Sequence, residues 1–301
     1  MRGGFLAVLM GTLLLPAAGQ AVWSAPMQRP SVNKDLLKSP AELASLLKDP
    51  SARLVVVDFG RSKMEYLEGH VPGAVYMPRS SILTNMNGVP AMLPPVDRVR
   101  DAVDEAGIGN DSRVIVYDDS GGLWASRLFW TLEYMGHEHV ALLDGGLSAW
   151  KAEGGALQRE EAINPRASFQ VHIRKDRLAD KKWILENLGN KDVKILDVRS
   201  PEEYRGTDKR AARGGHIPGA ENIDWVTNLD QKNKTLLPPE ELQALYNSSH
   251  VSSDKEVVTQ CQTGIRAAQT YFTLRYLGYD DVRLYDGSWA EWGNAEDTPV
   301  Q

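Results

Sequence analysis

The sequence predicts a duplicated α/β fold, each copy a mainly parallel sheet with helices on both faces. Three observations carry this: a long internal repeat, short aliphatic runs alternating with helical patterns, and a composition in the globular range. The 301 residues are 42% hydrophobic, 25% charged and 8% aromatic, with a formal net charge of -6. These values exclude collagen, coiled coil and wholesale disorder. At roughly 150 residues per domain, the length accommodates two domains. With 34 basic against 40 acidic residues and no long basic run, there is no electrostatic footprint for nucleic acid. A single cysteine excludes an intrachain disulfide and a thiolate zinc cluster, so no metal site is expected.

The chain opens with Arg2, an apolar run from Phe5 to Leu15, and small residues from Pro16 to Ala21. This reads as a secretory signal over residues 1–21, because the run is shorter than the roughly 20 residues a membrane span needs. The expectation is a periplasmic or secreted protein without stable membrane association after processing. Oxidising compartments favour paired cysteines, so the lone Cys261 is singled out as a reactive thiol.

The first unit is placed at 32–150. Ser39-Pro40-Ala41-Glu42 is a capping-box start with proline at the first helical position. Leu54–Val57, Val114–Tyr117 and Val140–Leu143 read as strands buried on both faces. A linker at 151–178 follows, rich in Ala, Gly and Glu between Lys151 and Ala167. The second unit, at 179–295, repeats the pattern with strands at Val193–Leu196, Glu256–Thr259 and Val282–Tyr285. In the helix Ala267–Leu277, Ala267, Tyr271, Leu274 and Leu277 share one apolar stripe. The stretch ending at Gly136 lines up with the one ending at Gly278, an offset of 142 residues that carries on from Trp150 to Trp292. Gly69–Ala74 (G-H-V-P-G-A) matches Gly215–Ala220 (G-H-I-P-G-A), and Asp58 matches Asp197. So long a period signals a duplicated domain rather than a solenoid. At this offset Asp119 stands opposite Cys261 and Trp124 opposite Arg266.

The segment Thr259-Gln260-Cys261-Gln262-Thr263-Gly264-Ile265-Arg266-Ala267 lies between a strand and a helix, where open α/β sheets bind ligands. Amides at a helix start lack intrahelical acceptors, and the helix dipole adds positive character there. Gly264 permits a tight curl of the backbone, and Arg266 adds a fixed charge. Together they predict an anion cradle around a sulfur. That field favours thiolate, since such cysteines titrate at about 3.5–7.5 rather than about 8.5. The expectation is a thiol that is ionised near neutrality and open to solvent.

C-Q-T-G-I-R, the paired G-H-[VI]-P-G-A motifs, D-V-R-S at Asp197 and D-G-S-W-A-E-W at Asp286 resemble the tandem-domain rhodaneses, or sulfurtransferases, from about Val32 to Trp292. The resemblance implies two flavodoxin-like rhodanese domains of which only the second is catalytic. It also implies a small anionic sulfur donor such as thiosulfate, a Cys261 persulfide, and cyanide, a thiol or a protein as sulfur acceptor, with no cofactor. Thiosulfate is favoured over 3-mercaptopyruvate. Two rivals stand beside this: a periplasmic persulfide carrier, and a phosphatase or arsenate reductase. Loops of the latter kind read C-x-x-x-x-x-R, whereas Cys261 to Arg266 is one residue shorter and fits a single sulfur better than a tetrahedral oxyanion.

The expected site comprises Cys261 and Arg266 as catalytic groups, with Gln262, Thr263, Gly264, Ile265, Arg205 and Trp289 contacting substrate. Glu203 stands where relatives tend to carry arginine, and Arg205 and Arg213 are the nearby candidates to replace it. Asp197 and Arg199 are expected to pair. His70 and His216, present in both copies although only one has a cysteine, are expected to be structural, as are Asp144 and Asp286. The first copy is expected to be a non-catalytic partner shaping the cleft.

Overall fold

The computed structural model describes residue 1, residues 3–4 and residues 31–301. The expected signal at 1–21 therefore falls almost entirely outside the described residues. Among these, no helix is long and apolar enough to cross a membrane.

The first unit contains β1 (Leu37–Lys38), α1 (Pro40–Leu46), β2 (Leu54–Phe59), α2 (Lys63–Glu68), β3 (Val75–Met77) and a hairpin of β4 (Thr84–Met86) and β5 (Val89–Met92). It continues with α3 (Val96–Glu105), β6 (Arg113–Tyr117), α4 (Leu123–Tyr134), β7 (Val140–Leu143) and α5 (Gly146–Ala152). The second unit has β8 (Leu178–Ala179), α6 (Lys181–Asn187), β9 (Val193–Asp197), α7 (Pro201–Tyr204), β10 (Glu221–Asn222), α8 (Pro239–Ser248), β11 (Glu256–Gln260), α9 (Ile265–Tyr276), β12 (Val282–Tyr285) and α10 (Ser288–Trp292). The expected strands are all present, and the Ser39 capping box forms, with Glu42 returning to the Ser39 amide.

The two five-stranded sheets share one topology. Their orders are β1-β7-β6-β2-β3 and, read from its matching edge, β8-β12-β11-β9-β10, with every pairing parallel. Parallel strands need crossover helices, which cover both faces and leave the strands almost wholly apolar. One apolar cluster lies between the units and spans both, and each unit has its own outer cluster. At the centre α4 packs on its counterpart α9, with Phe129 and Phe272 edge to face at 5.0 Å. The single stripe expected on α9 is accordingly too narrow: Ile265 and every residue from Ala267 to Leu274 are buried. One side meets its own sheet and the other meets the opposite unit.

The linker is laid along the first unit rather than loose. His70 and Gln158 exchange backbone bonds, Phe169 is buried, and the His172 and Arg174 amides donate to Met135 and Tyr134. Helix α5 runs to Ala152, so the boundary expected at 150 cuts its last turn. Past the boundary expected at 295, the C-terminal tail repeats the linker's arrangement, with Gln301 exchanging backbone bonds with His216. His70 and His216 are structural, as expected. Each stacks on a tyrosine (Tyr66 at 3.8 Å, Tyr204 at 3.7 Å) and each Nδ1 donates to that tyrosine's carbonyl.

Candidate active site

Strand register sets the two loops side by side. Asp58 pairs with Tyr117 and Asp197 pairs with Gln260, so the residues that follow, Asp118 and Cys261, are true counterparts. The backbone agrees: Leu147 N–H donates to the Asp118 carbonyl as Trp289 N–H donates to that of Cys261. The helices then begin at matching caps, Gly122 and Gly264, both left-handed at φ 77° and 76°. The first loop thus holds one residue more than the second, and the ungapped offset that put Asp119 opposite Cys261 is corrected. Asp119 lies to one side, 42% exposed, with its carboxylate 3.8 Å from Arg61.

In the first unit the buried Asp118 carboxylate fills the ring of amides. Oδ1 accepts from Ser120 and Gly122 at 2.9 Å each, and Oδ2 accepts from Trp124 at 2.7 Å and Ala125 at 3.0 Å. In the second unit the residue at this position is Cys261, and the amides from Gln262 to Ala267 find no acceptor within the protein among the described residues. The first loop therefore shows what such a loop can hold: a carboxyl group whose two oxygens accept four N–H bonds at a helix start, against a burial that pushes its pKa up.

Cys261 is pinned through its backbone. Its N–H donates to Ser288 Oγ at 3.2 Å, and Ser288 Oγ donates on to the Tyr285 carbonyl. Ser288 takes a left-handed φ of 49° to do this, a rare conformation for a residue other than glycine. The cysteine is 1% exposed and belongs to the apolar cluster between the units, so the expectation of an open thiol is corrected. Its loop neighbours Gln262, Thr263 and Arg266 are only half-buried. Ile265 is itself buried and offers the ring an amide rather than a side chain. Gly264 is close-packed: a Cβ there would lie 2.9 Å from Arg127 Nη1 and 3.0 Å from the Asp286 carbonyl.

Arg266 is not a free anion receptor. Its Nη1 and Nη2 donate to Glu203 Oε2 and Oε1 at 2.6 and 2.8 Å. Glu203, 1% exposed, is the third residue of a capping box begun by Ser200. Burial alone would raise its pKa, but the hydrogen bonds and charge of Arg266 hold it below the ordinary carboxylate value. Sequence reading noted Glu203 only as a departure, although the S-P-E-E spacing shows that it sits on the first turn of a helix. Gln262 is tied through Nε2 to the Arg210 carbonyl at 3.1 Å, a contact with no sequence signal.

The other expected substrate contacts, Trp289 and Arg205, are engaged within the protein. Trp289 is 1% exposed in the outer apolar cluster, beneath the Arg199 guanidinium at 4.4 Å. Its Nε1 donates to the Arg213 carbonyl and its backbone N–H to the Cys261 carbonyl, so it braces the loop. Arg213 donates to the carbonyls of Trp292, Ala295 and Thr298, which locks the C-terminal tail. Arg205 is 60% exposed and pairs with Glu202 at 3.1 Å. Asp197 and Arg199 form the expected pair, fully buried, with Arg199 also donating to the Gly215 carbonyl.

Asp286 does more than shape its own unit. Its Oδ2 accepts from the Leu93 amide at 2.8 Å and its Oδ1 from Arg127 of the first unit. Asp144 mirrors this by accepting from the Leu236 amide at 3.0 Å. The counterpart of Arg127 is the uncharged Gln269, so only the cysteine loop has an arginine of the opposite unit behind it. Among the described residues no group of three or more His, Cys, Asp or Glu is placed to hold a metal.

Comparison with known proteins matches the rhodanese-like domain twice, at residues 39–153 and 180–295. A thiosulfate sulfurtransferase of Azotobacter vinelandii is 37% identical over 266 residues, 88% of this chain and 97% of that one. Sulfur carrier protein TtuD of Thermus thermophilus is 36% identical over 276 residues, 84% of this chain and 92% of its own. The anaerobic ergothioneine biosynthesis enzyme of Chlorobium limicola superposes with a TM-score of 0.80 at 23% identity, covering 89% of this chain and 70% of that one. This last likeness is one of fold.

Proposed function

From the premise that this chain belongs to the rhodanese family, we propose that it is a thiosulfate sulfurtransferase working through a persulfide on Cys261. The observation that carries this is the pairing of Asp118 with Cys261. In one copy the amides at the helix start grip a built-in carboxylate; in the other the matching amides, with no acceptor of their own, directly follow the chain's single cysteine. The Cys261 thiolate attacks the outer sulfur of thiosulfate. A new S–S bond forms, the old one breaks, and its electron pair leaves with sulfite. Cyanide or a thiolate then attacks the outer sulfur of the persulfide, which releases thiocyanate or a new persulfide and regenerates the thiolate. The enzyme divides one transfer into two, with the amides from Gln262 to Ala267 stabilising the anionic sulfur in each. The ring of Cys261 to Arg266, with four residues between, supports a single sulfur over a tetrahedral oxyanion.

Similarity to a sulfur carrier supports a second reading, in which the acceptor is a protein thiol. The basic, apolar and small residues of 1–21 support export to the periplasm, which cell fractionation tests. The activity itself is tested by steady-state kinetics with thiosulfate and cyanide. Double displacement gives parallel reciprocal plots, and Cys261→Ser abolishes turnover. Intersecting plots, or an active serine variant, overturn the proposal.

A further inference from the structure

The arginines of the second unit on or near the segments that meet the cysteine loop are already matched. Arg266 is held by Glu203 across both terminal nitrogens, Arg205 by Glu202, Arg210 by Asp208 at 2.7 Å, and Arg199 by Asp197. Arg213 is taken up by backbone carbonyls. Glu203 is the hub, since it also lies 3.6 Å from Arg210 Nη1, and the Arg210 carbonyl in turn holds Gln262 of the ring. A carboxylate in contact with Arg266 cancels most of the potential an approaching anion would feel, and burial leaves that carboxylate poorly screened by salt.

We propose that Glu203 is a specificity residue for sulfur transfer: by neutralising Arg266 at the mouth, it weakens capture of the dianionic donor and retention of the sulfite product, so that donors of lower charge compete. This rests on the thiosulfate reading above. Recognition is left to the amide ring, whose dipoles act at the reacting sulfur rather than along the approach. Glutamine retains the capping-box geometry and one acceptor for Arg266 while removing the charge, so Glu203→Gln isolates the effect.

If the lost charge changes capture by a factor for each donor charge, a dianion feels that factor squared. The test compares kcat/KM for thiosulfate, a dianion, with that for benzenethiosulfonate, a monoanion, in wild type and Glu203→Gln. A gain of about tenfold for thiosulfate, through KM, is expected against about threefold for benzenethiosulfonate. Equal changes for the two donors, or none, overturn the inference. Wild type supplies a measurement that needs no variant: its KM for thiosulfate should be nearly flat in ionic strength, and a steep rise with salt overturns the inference too. Sulfur loading of Cys261, followed by intact mass in the same samples, separates the two claims. Failure to load sinks the reaction itself, whereas normal loading with an unmoved donor ratio sinks only the role of Glu203.

Discussion

Replacing Asp118 by asparagine tests whether the first loop is a ring closed on its own anion. The side chain keeps its shape, but one carboxylate oxygen becomes an amide nitrogen. Two of the four N–H groups that now donate to Asp118 at 2.7–3.0 Å would then face a donor. Losing an acceptor costs a buried N–H about 1–3 kcal/mol, and the remaining bonds lose their charge assistance. The sum is about 3–5 kcal/mol, or roughly 10 °C or more in melting temperature for a unit of this size. Asp119→Asn is the control. That side chain is largely at the surface, bonded to Ser120 Oγ at 3.2 Å and lying 3.8 Å from Arg61, so its change should stay within about 1 kcal/mol. Thermal and urea unfolding of the two variants decide the matter. Equal losses, or a larger loss for Asp119→Asn, would refute the assignment of Asp118 as the counterpart of Cys261.

Gly264→Ala should lower kcat/KM by at least tenfold and cost about 2–4 kcal/mol in unfolding. Its left-handed φ of 76° and the carbonyl of Asp286 at 3.0 Å both oppose a Cβ. Arg127→Met leaves Asp286 buried without its cation and should destabilise by about 3–5 kcal/mol in chemical denaturation. Arg127→Met/Asp286→Asn should recover part of that loss. The bond from Glu203 to Arg266 has a pH signature. The folded-state pKa lies below the ordinary value of 4.5, so the stability it adds is complete above that value and fades as pH falls through the lowered one. The melting-temperature gap between wild type and Glu203→Gln should therefore be full at pH 7, begin to narrow only below pH 4.5 and close as pH falls through the lowered value.

The duplicated sheet was legible because apolar runs such as Leu54–Val57 and Val193–Leu196 announce strands covered on both faces. The cysteine loop was legible because Gly264 and the following helical pattern fix its turn. The residue opposite Cys261 was misread because a single extra residue between Asp118 and Gly122 leaves the flanking helices in alignment; only the strand register at Tyr117 and Gln260 exposes it. The contact of Glu203 with Arg266 spans 63 positions, and nothing local encodes such a contact. Trp289 and Arg213 looked like pocket residues because their types suit substrate recognition. Arg213 is instead engaged by the carbonyls of the C-terminal tail, and Trp289 is buried in the outer apolar cluster. The wide burial of α9 likewise depends on a helix from the other unit, a neighbour that periodicity within α9 does not reveal.

The most direct measurement is the intact mass of the purified protein before and after thiosulfate, and again after cyanide. The account predicts the addition of a single sulfur atom, mapped to Cys261, removed by cyanide and never seen in Cys261→Ser. An unchanged mass after thiosulfate, or sulfur that persists in the serine variant, would contradict it.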